Sequence, residues 1–320
     1  MSRDGHFKGT QPTIIWETVI VLSTFLIRRL GVAAAALGVV AAITAFVILA
    51  APVPETAAPI GEDVAEVAPP TPEVQAASAL TGTLVGGESI EITGVALDDV
   101  TAVTFGGIPA TNVVVSDSET LTATVPSALD FQPATVAIDV MADAEVLPSE
   151  TPLDYSYAAS TPVDNQMQYL LAHWQDYNVA EYGDLNPVGG DCANFASQSL
   201  LMRGWTMTSE WFNYDAAADW SGAWGYVPTM ENWLLSNPEL GATQLSFDQR
   251  DQANVGDLVV FDWNDNNYLD HIQVVSSVST VEGVTTIKMV GHNLDTNYRD
   301  LDTTITVDHP GATGHFWSIP

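Results

Sequence analysis

A single cysteine, Cys192, stands in a chain of 320 residues, so no internal disulfide can staple the fold. Apolar burial and hydrogen bonding must hold it together. Hydrophobic residues make up 47% of the chain, which is enough for a real core over a length that accommodates two ordinary domains. The lone thiol is then either a small buried filler or a reactive group. Its setting, GGDCANFASQSLL over residues 189–201, lies where a polar loop gives way to an apolar run.

Charge narrows the partners. Forty acidic residues face eight basic ones, for a formal net charge of −32, and after residue 52 the only cations are Arg203, Arg250, Lys288 and Arg299. So few cations cannot neutralise a row of phosphates, which argues against nucleic acid as a partner. Near the start, Arg28 and Arg29 precede an unbroken apolar stretch from Leu30 to Ala51. About 20 such residues suffice to cross a hydrocarbon core, whereas the apolar part of a signal peptide has roughly 7 to 15. Residues 30–51 therefore read as a transmembrane helix or signal anchor. Residues 1–29 would be cytoplasmic and everything after the helix extracellular, giving a single-pass protein of the cell membrane. A cleaved signal peptide, which would leave a secreted protein, is the alternative, because ILAAP at 48–52 offers small residues to a peptidase.

Residues 52–79 are rich in Pro, Ala and Glu and poor in bulky apolar residues, the composition of an extended linker. Residues 80–159 then alternate. GESIEITGVAL, VTAVTFGGIPA, TNVVVSDSETLTATVP and ATVAIDVMA are short period-two runs punctuated by Gly, Pro, Asp and Ser. Such spacing predicts an all-β sandwich. It contains no cluster of His, Cys or carboxylates that could support chemistry, so its removal is expected to leave activity on a soluble substrate intact.

The chemistry is then expected in residues 160–320. NQMQYLLAHWQDYN places Met167, Leu170, Leu171 and Trp174 at helical spacing. In DCANFASQSLLMRGW, Asp191 is placed to cap a second helix, with Cys192 in its first turn. There the exposed backbone N–H groups and the helix dipole would stabilise a thiolate and offer donors to an oxyanion. A buried structural cysteine more naturally sits in the middle of an apolar face. Cys192 is thus a candidate nucleophile, provided a base can reach it. His271 lies in the strand-like run NYLDHIQVVSSV, where period two turns His271, Gln273 and Val275 to one side and Ile272 and Val274 to the other. His292 and Asn293 follow at the end of the next run, TIKMVGHNLDT. A cysteine on a helix, a histidine on a strand and a polar residue on the adjacent strand are the elements of a thiol-hydrolase site. Zinc on Cys192, His271 and His292 is the competing reading, but no C-x-x-C or H-E-x-x-H spacing supports it. No metal and no cofactor are expected. Of the tryptophans at 205, 211, 220, 224 and 233, most are expected to pack in the core, with a subset available to line a groove.

Two resemblances sharpen this. LTGTLVGGESIEITG, VTAVTFGGIPA, SDSETLTATVP and the closing LDYSYA are similar, in that order, to the IPT/TIG branch of immunoglobulin-like domains. NPVGGDCANFASQSLLMRGW resembles the Asp-Cys-Thr-Asn-Phe-Val-Ser-Gln signature of the "Putative amidase domain" family, with Ala193 in place of threonine. That family sits in the papain-like superfamily, alongside NlpC-type peptidases and CHAP amidases. SEWFNY, SGAWGYVPTMENWL, VGDLVVFDW, DHIQVV and GHNLDTNYRDLD are similar to its later motifs, so the resemblance spans about residues 165–310.

The resemblance implies roles residue by residue. Cys192 would be the nucleophile, His271 the general base and later acid, and His292 the group that orients it. Asn293 is the alternative third member. Asn186, six residues before Cys192, would be an oxyanion donor, and Asp191 would shape the substrate-amine side. The expected fold class is multidomain: a membrane helix, an all-β Ig-like sandwich, and an α+β papain-like cysteine hydrolase domain. The implied activity is hydrolysis of amide bonds in bacterial cell-wall peptides. A secreted cysteine protease or transamidase, or an inert surface-adhesion protein, are the competing readings.

Overall fold

Alternation in the first half becomes two facing sheets. In the computed structural model, which describes residues 69–320, ten strands precede the first α-helix. They are β1 (Glu73–Ala77), β2 (Thr81–Thr83), β3 (Ser89–Val95), β4 (Val100–Phe105), β5 (Ile108–Pro109), β6 (Thr111–Asp117), β7 (Thr120–Thr124), β8 (Ala134–Ala142), β9 (Glu145–Val146) and β10 (Asp154–Ala158). One sheet has the order β1-β3-β7-β6 and the other β2-β10-β8-β4-β5, with β9 paired to β8. Ile90, Ile92 and Leu121 from the first sheet meet Val103, Phe105, Val140 and Tyr155 from the second in one buried core. Their polar neighbours along each strand point to water, as the pleat requires.

Helix α1 (Pro162–His173) follows β10 almost directly. Thr161 and Asp164 form a reciprocal capping box at its start. Asp164 also ties the two halves together. Its fully buried carboxylate accepts from the backbone N–H of Val85 at 2.9 Å, and from those of Ser160 and Thr161. Gln132 reaches across to the carbonyl of Gln168. The described residues fall in one compact unit, and a single buried apolar cluster runs from Val74 in β1 to Ile319 near the chain's last residue.

The second half adds a short α2 (Val179–Tyr182), α3 (Cys192–Met202), the small hairpin β11 (Asn213–Tyr214) and β12 (Asp219–Trp220), α4 (Gly222–Gly225) and α5 (Val227–Ser236). Six strands then complete it: β13 (Thr243–Ser246), β14 (Leu258–Asp262), β15 (His271–Val281), β16 (Val284–Gly291), β17 (Thr296–Asp300) and β18 (Thr313–Ser318). All six join one antiparallel sheet in the order β13-β18-β14-β15-β16-β17. The central strand β14, LVVFD, is buried on both faces. On one face Leu258, Val260, Ile272, Val274 and Val290 pack with Phe195, Ala196 and Leu200 of α3. On the other, Val259, Phe261, Val275, Ile287 and Met289 pack with Leu301 and Phe316. Burial on both sides is why these strands read as continuous apolar runs.

Three expectations are corrected here. The expected fold class does not hold: the described residues are mostly β-sheet, and no helix among them is long and apolar enough to cross a membrane. The longest, α1, has 12 residues, about 18 Å of rise against a hydrocarbon core of about 30 Å. The stretch 30–51 read as a transmembrane helix lies outside the described residues. No helix among the described residues supports the single-pass membrane placement or the membrane as a partner, and both expectations are corrected to that extent. Finally, β1 falls inside the segment 52–79 read as linker. Val74 is buried in the sandwich core, β1 pairs antiparallel with β3, and Val74 N–H donates to the Pro148 carbonyl.

Candidate active site

The start of α3 is shaped by the loop before it. Gly189 and Gly190 adopt φ of +134° and +128°, values that L side chains rarely take. At Gly190 there is a second reason for glycine, since a Cβ would stand 3.1 Å from Asn293 Oδ1. Bare backbone here lets Asn293 come down onto the helix start. Its Oδ1 accepts from the backbone N–H of Asp191 at 2.7 Å and of Cys192 at 2.9 Å. Its Nδ2 donates to Asn186 Oδ1. The expected oxyanion candidates, Cys192 N–H and Asn186, are therefore both joined to Asn293 in this state.

Asp191 occupies the N-cap position of α3, but its side chain makes no capping bond. The carboxylate turns inward instead. Oδ1 accepts from Leu185 N–H and from Asn194 Nδ2, each at 2.8 Å, and Oδ2 accepts from His292 Nδ1 at 2.6 Å. Asp191, expected on the substrate-amine side, is almost fully buried, with its carboxylate on Leu185, Asn194 and His292.

His292 is the partner of that carboxylate. It follows the end of β16 at Gly291 and reaches Asp191 on the α3 side of the sheet, whereas His271, paired with Phe261, lies on the side of Gln273 and Val275. The His292 ring is 1% exposed. It is stacked between Tyr177 and Phe195 at centroid distances of 3.5 and 3.7 Å. Nδ1 faces Asp191 and Nε2 faces the backbone carbonyl of His173 at 3.0 Å. Both partners only accept, so neither nitrogen is left to receive a hydrogen bond from His271. Asn293 is no freer to do so, because its carboxamide is spent on the start of α3 and on Asn186.

Cys192 and His271 do share a cavity. About 440 Å³ in volume, it is lined by both residues together with Gly189, Gly190, Trp263, Asp270, Asn293, Leu294 and His309. A second cavity of about 410 Å³ adjoins it, sharing Gly189, Gly190, Cys192 and Asp270 and adding Trp220, Tyr226, Tyr268 and Leu269. Together they make a cleft that passes over the thiol, with Trp263 and His309 at one end and Trp220, Tyr226 and Tyr268 at the other. Of the tryptophans near α3, Trp211, Trp224 and Trp233 are buried, while Trp220 lines the cleft. Trp263 was not anticipated as a site residue. It stacks on both His271 and His309, at 5.4 and 3.9 Å.

Burial sets the protonation of the pair. Cys192 is 8% exposed, and desolvation pushes its thiol up to about 11, against the opposing pull of the backbone amides of Ile272, Ala193 and Cys192 itself. His271, 5% exposed, is held down at about 3, first by burial and then by the positive charges of Arg299 and His309. At neutral pH the resting pair is thus an uncharged thiol and an uncharged imidazole. Burial here outweighs the helix-terminal N–H groups from which a preformed thiolate was expected, and Cys192 N–H is already taken by Asn293. A neutral imidazole nevertheless keeps the lone pair a general base needs. Among the described residues no group of three or more His, Cys, Asp or Glu side chains is arranged to hold a metal.

Comparison with known proteins agrees with the domain order. Residues 72–157 match the family described as "IPT/TIG domain", and residues 161–317 match the family described as "Putative amidase domain". The chain carries an IPT/TIG domain followed by an amidase domain of that family, which supports an amidase-like hydrolase. No curated protein is similar enough to match. Among solved structures, SGBP-B from a complex xyloglucan utilization locus in Bacteroides uniformis is 22% identical with a TM-score of 0.22, over 26% of this chain and 22% of that one. An auxiliary nutrient binding protein from Bacteroides ovatus is 24% identical with a TM-score of 0.20, over 27% and 21%. The mixed-linkage glucan SGBP-B of Bacteroides ovatus, in complex with a heptasaccharide, is 11% identical with a TM-score of 0.23, over 78% and 50%. This chain spans 22% of the first structure and half of the third.

Proposed function

We propose that residues 160–320 act as a cysteine-dependent amidase that hydrolyses amide bonds in bacterial cell-wall peptides outside the cytoplasm. One observation carries the reading: Cys192 at the start of α3 and His271 at the start of β15 line the same cavity. In this mechanism the substrate amide lies along the cleft with its carbonyl carbon over the Cys192 sulfur. His271 takes the thiol proton as the sulfur attacks, because the buried pair is uncharged before substrate arrives. The developing oxyanion competes with Asn293 Oδ1 for the N–H of Cys192 and draws stabilisation from it. His271 then returns its proton to the leaving amine, which departs and leaves a thioester on Cys192. Water, deprotonated by His271, hydrolyses that thioester and restores the thiol. The extracellular setting is supported by the apolar stretch after Arg28 and Arg29, read as an export signal.

The test is digestion of purified cell wall by the full chain and by Cys192→Ala and His271→Ala variants, with released fragments identified by mass spectrometry. Fragments carrying a new amine end should appear with the wild-type protein alone. Equal release by Cys192→Ala would sink the cysteine mechanism, and activity on casein but not on wall would sink the substrate assignment.

A further inference from the structure

If neither His292 nor Asn293 can meet His271, another group must set its ring. His271 Nε2 is buried with no hydrogen-bond partner. Only one ring nitrogen is sealed in this way, which leaves Nδ1 to the cavity that holds Cys192. For Nδ1 to carry the lone pair that receives the thiol proton, Nε2 must carry the ring's N–H. That N–H needs a buried acceptor, since an unmet buried donor is costly.

The same face of the sheet supplies one. Gln273 is two residues along β15 and projects from the same side as His271. It is 1% exposed, and both its Oε1 and Nε2 lack partners. Space for it comes from Gly291 on β16, where a Cβ would stand 2.8 Å from Gln273 Cγ. Arg299 on β17 pairs with Met289, which pairs with Val275, so its side chain rises from the same face. Its Nη2 is held by Asp308 at 2.8 Å, while its Nη1 is buried and unpartnered. A guanidinium only donates, and so does the required Nε2–H of His271. Ser276 Oγ is also unpartnered, but it is five residues from His271 in sequence. Among these unpartnered groups, Gln273 Oε1 is the atom that only accepts; it lies two residues along the same strand face from His271, and an amide oxygen can receive two hydrogen bonds.

We infer that Gln273 is the positioning residue for His271, its Oε1 accepting the Nε2–H of His271 while Arg299 Nη1 donates to the same oxygen. The role rests on the catalytic reading above, in which His271 is the base. Gln273 touches neither substrate nor sulfur; it fixes the tautomer that leaves Nδ1 free, with Arg299 and Asp308 bracing it from behind.

Ring nitrogen-15 NMR of the full chain tests this apart from activity. The wild-type spectrum should show His271 as the Nε2–H tautomer, and Gln273→Leu should shift it toward a mixture of tautomers. In turnover, Gln273→Leu should lower kcat by about 10²-fold with KM nearly unchanged, the scale of a positioned acid–base contribution, and Gln273→Glu, which keeps an acceptor, should restore most of it. A wild-type Nδ1–H tautomer would overturn the inference by itself, even if Gln273→Leu failed to fold. So would a Gln273→Leu variant with wild-type kcat. If His271→Ala is fully active while the Nε2–H tautomer is observed, the catalytic reading fails and the hydrogen bond stands.

Discussion

His292 offers the sharpest contrast between a catalytic and a structural histidine. Truncating it to alanine removes the sole side-chain partner of Asp191 Oδ2 and leaves the His173 carbonyl without its donor. It also opens a void between the rings of Tyr177 and Phe195. Removing one member of a buried pair costs about 3–5 kcal/mol. Truncating a buried ring costs a similar amount, about 3–5 kcal/mol by analogy with large aromatic side chains. The two overlap because one side chain carries both, so a loss of about 4 kcal/mol is expected. For a folded unit of this size each kcal/mol shifts Tm by about 2–4 °C, which puts His292→Ala about 8–16 °C below wild type by circular dichroism. Asp191→Ala should fall comparably. The double variant should lose much less than the sum, since each single change already breaks the same bond. A catalytic orienter behaves in the opposite way. If His292→Ala melts within about 2 °C of wild type yet loses 10²–10⁴-fold in kcat, His292 serves His271 after all and the buried-pair reading is wrong.

Alkylation of Cys192 by iodoacetamide should accelerate with pH toward about 11 and show no plateau near neutrality; a plateau below pH 7 would reveal a preformed ion pair. His271 is depressed to about 3, so below about pH 6.5 the unfolded chain takes up a proton that the folded chain resists. The contribution of the neutral ring to stability is therefore whole above pH 6.5 and drains away as the pH falls toward 3. Urea midpoints at pH 7 and pH 4 should differ less for His271→Gln than for wild type, and an equal difference would contradict the buried neutral ring. Beginning the chain at Ser160 removes the Val85 N–H from buried Asp164 and uncovers part of a shared core. That fragment should melt lower or aggregate, contrary to the expectation that the sandwich can be dispensed with; an undiminished Tm would show that the two halves fold independently.

Much of this was legible in residue order, because local periodicity is a local property. Ile90 and Ile92 face a core because every second residue of a strand does. Cys192 in a first turn and His271 beside Gln273 on one strand face follow from the same short-range geometry. What residue order left open lies about a hundred positions apart along the chain. Asp191 binds His292 across 101 residues, and Cys192 N–H is taken by Asn293 across another 101. Period two would turn His292 and Asn293 to opposite faces, but the strand ends at Gly291, Asn293 takes a φ of +60°, and both side chains reach the start of α3. Alternation cannot be carried through a left-handed residue, so its side chain's destination was decided by the glycine loop it meets. The protonation of the pair was likewise decided by tertiary structure. A helix start acts within one turn, whereas desolvation of Cys192 and His271 depends on everything packed around them, and that packing exists only once α3 lies against the sheet.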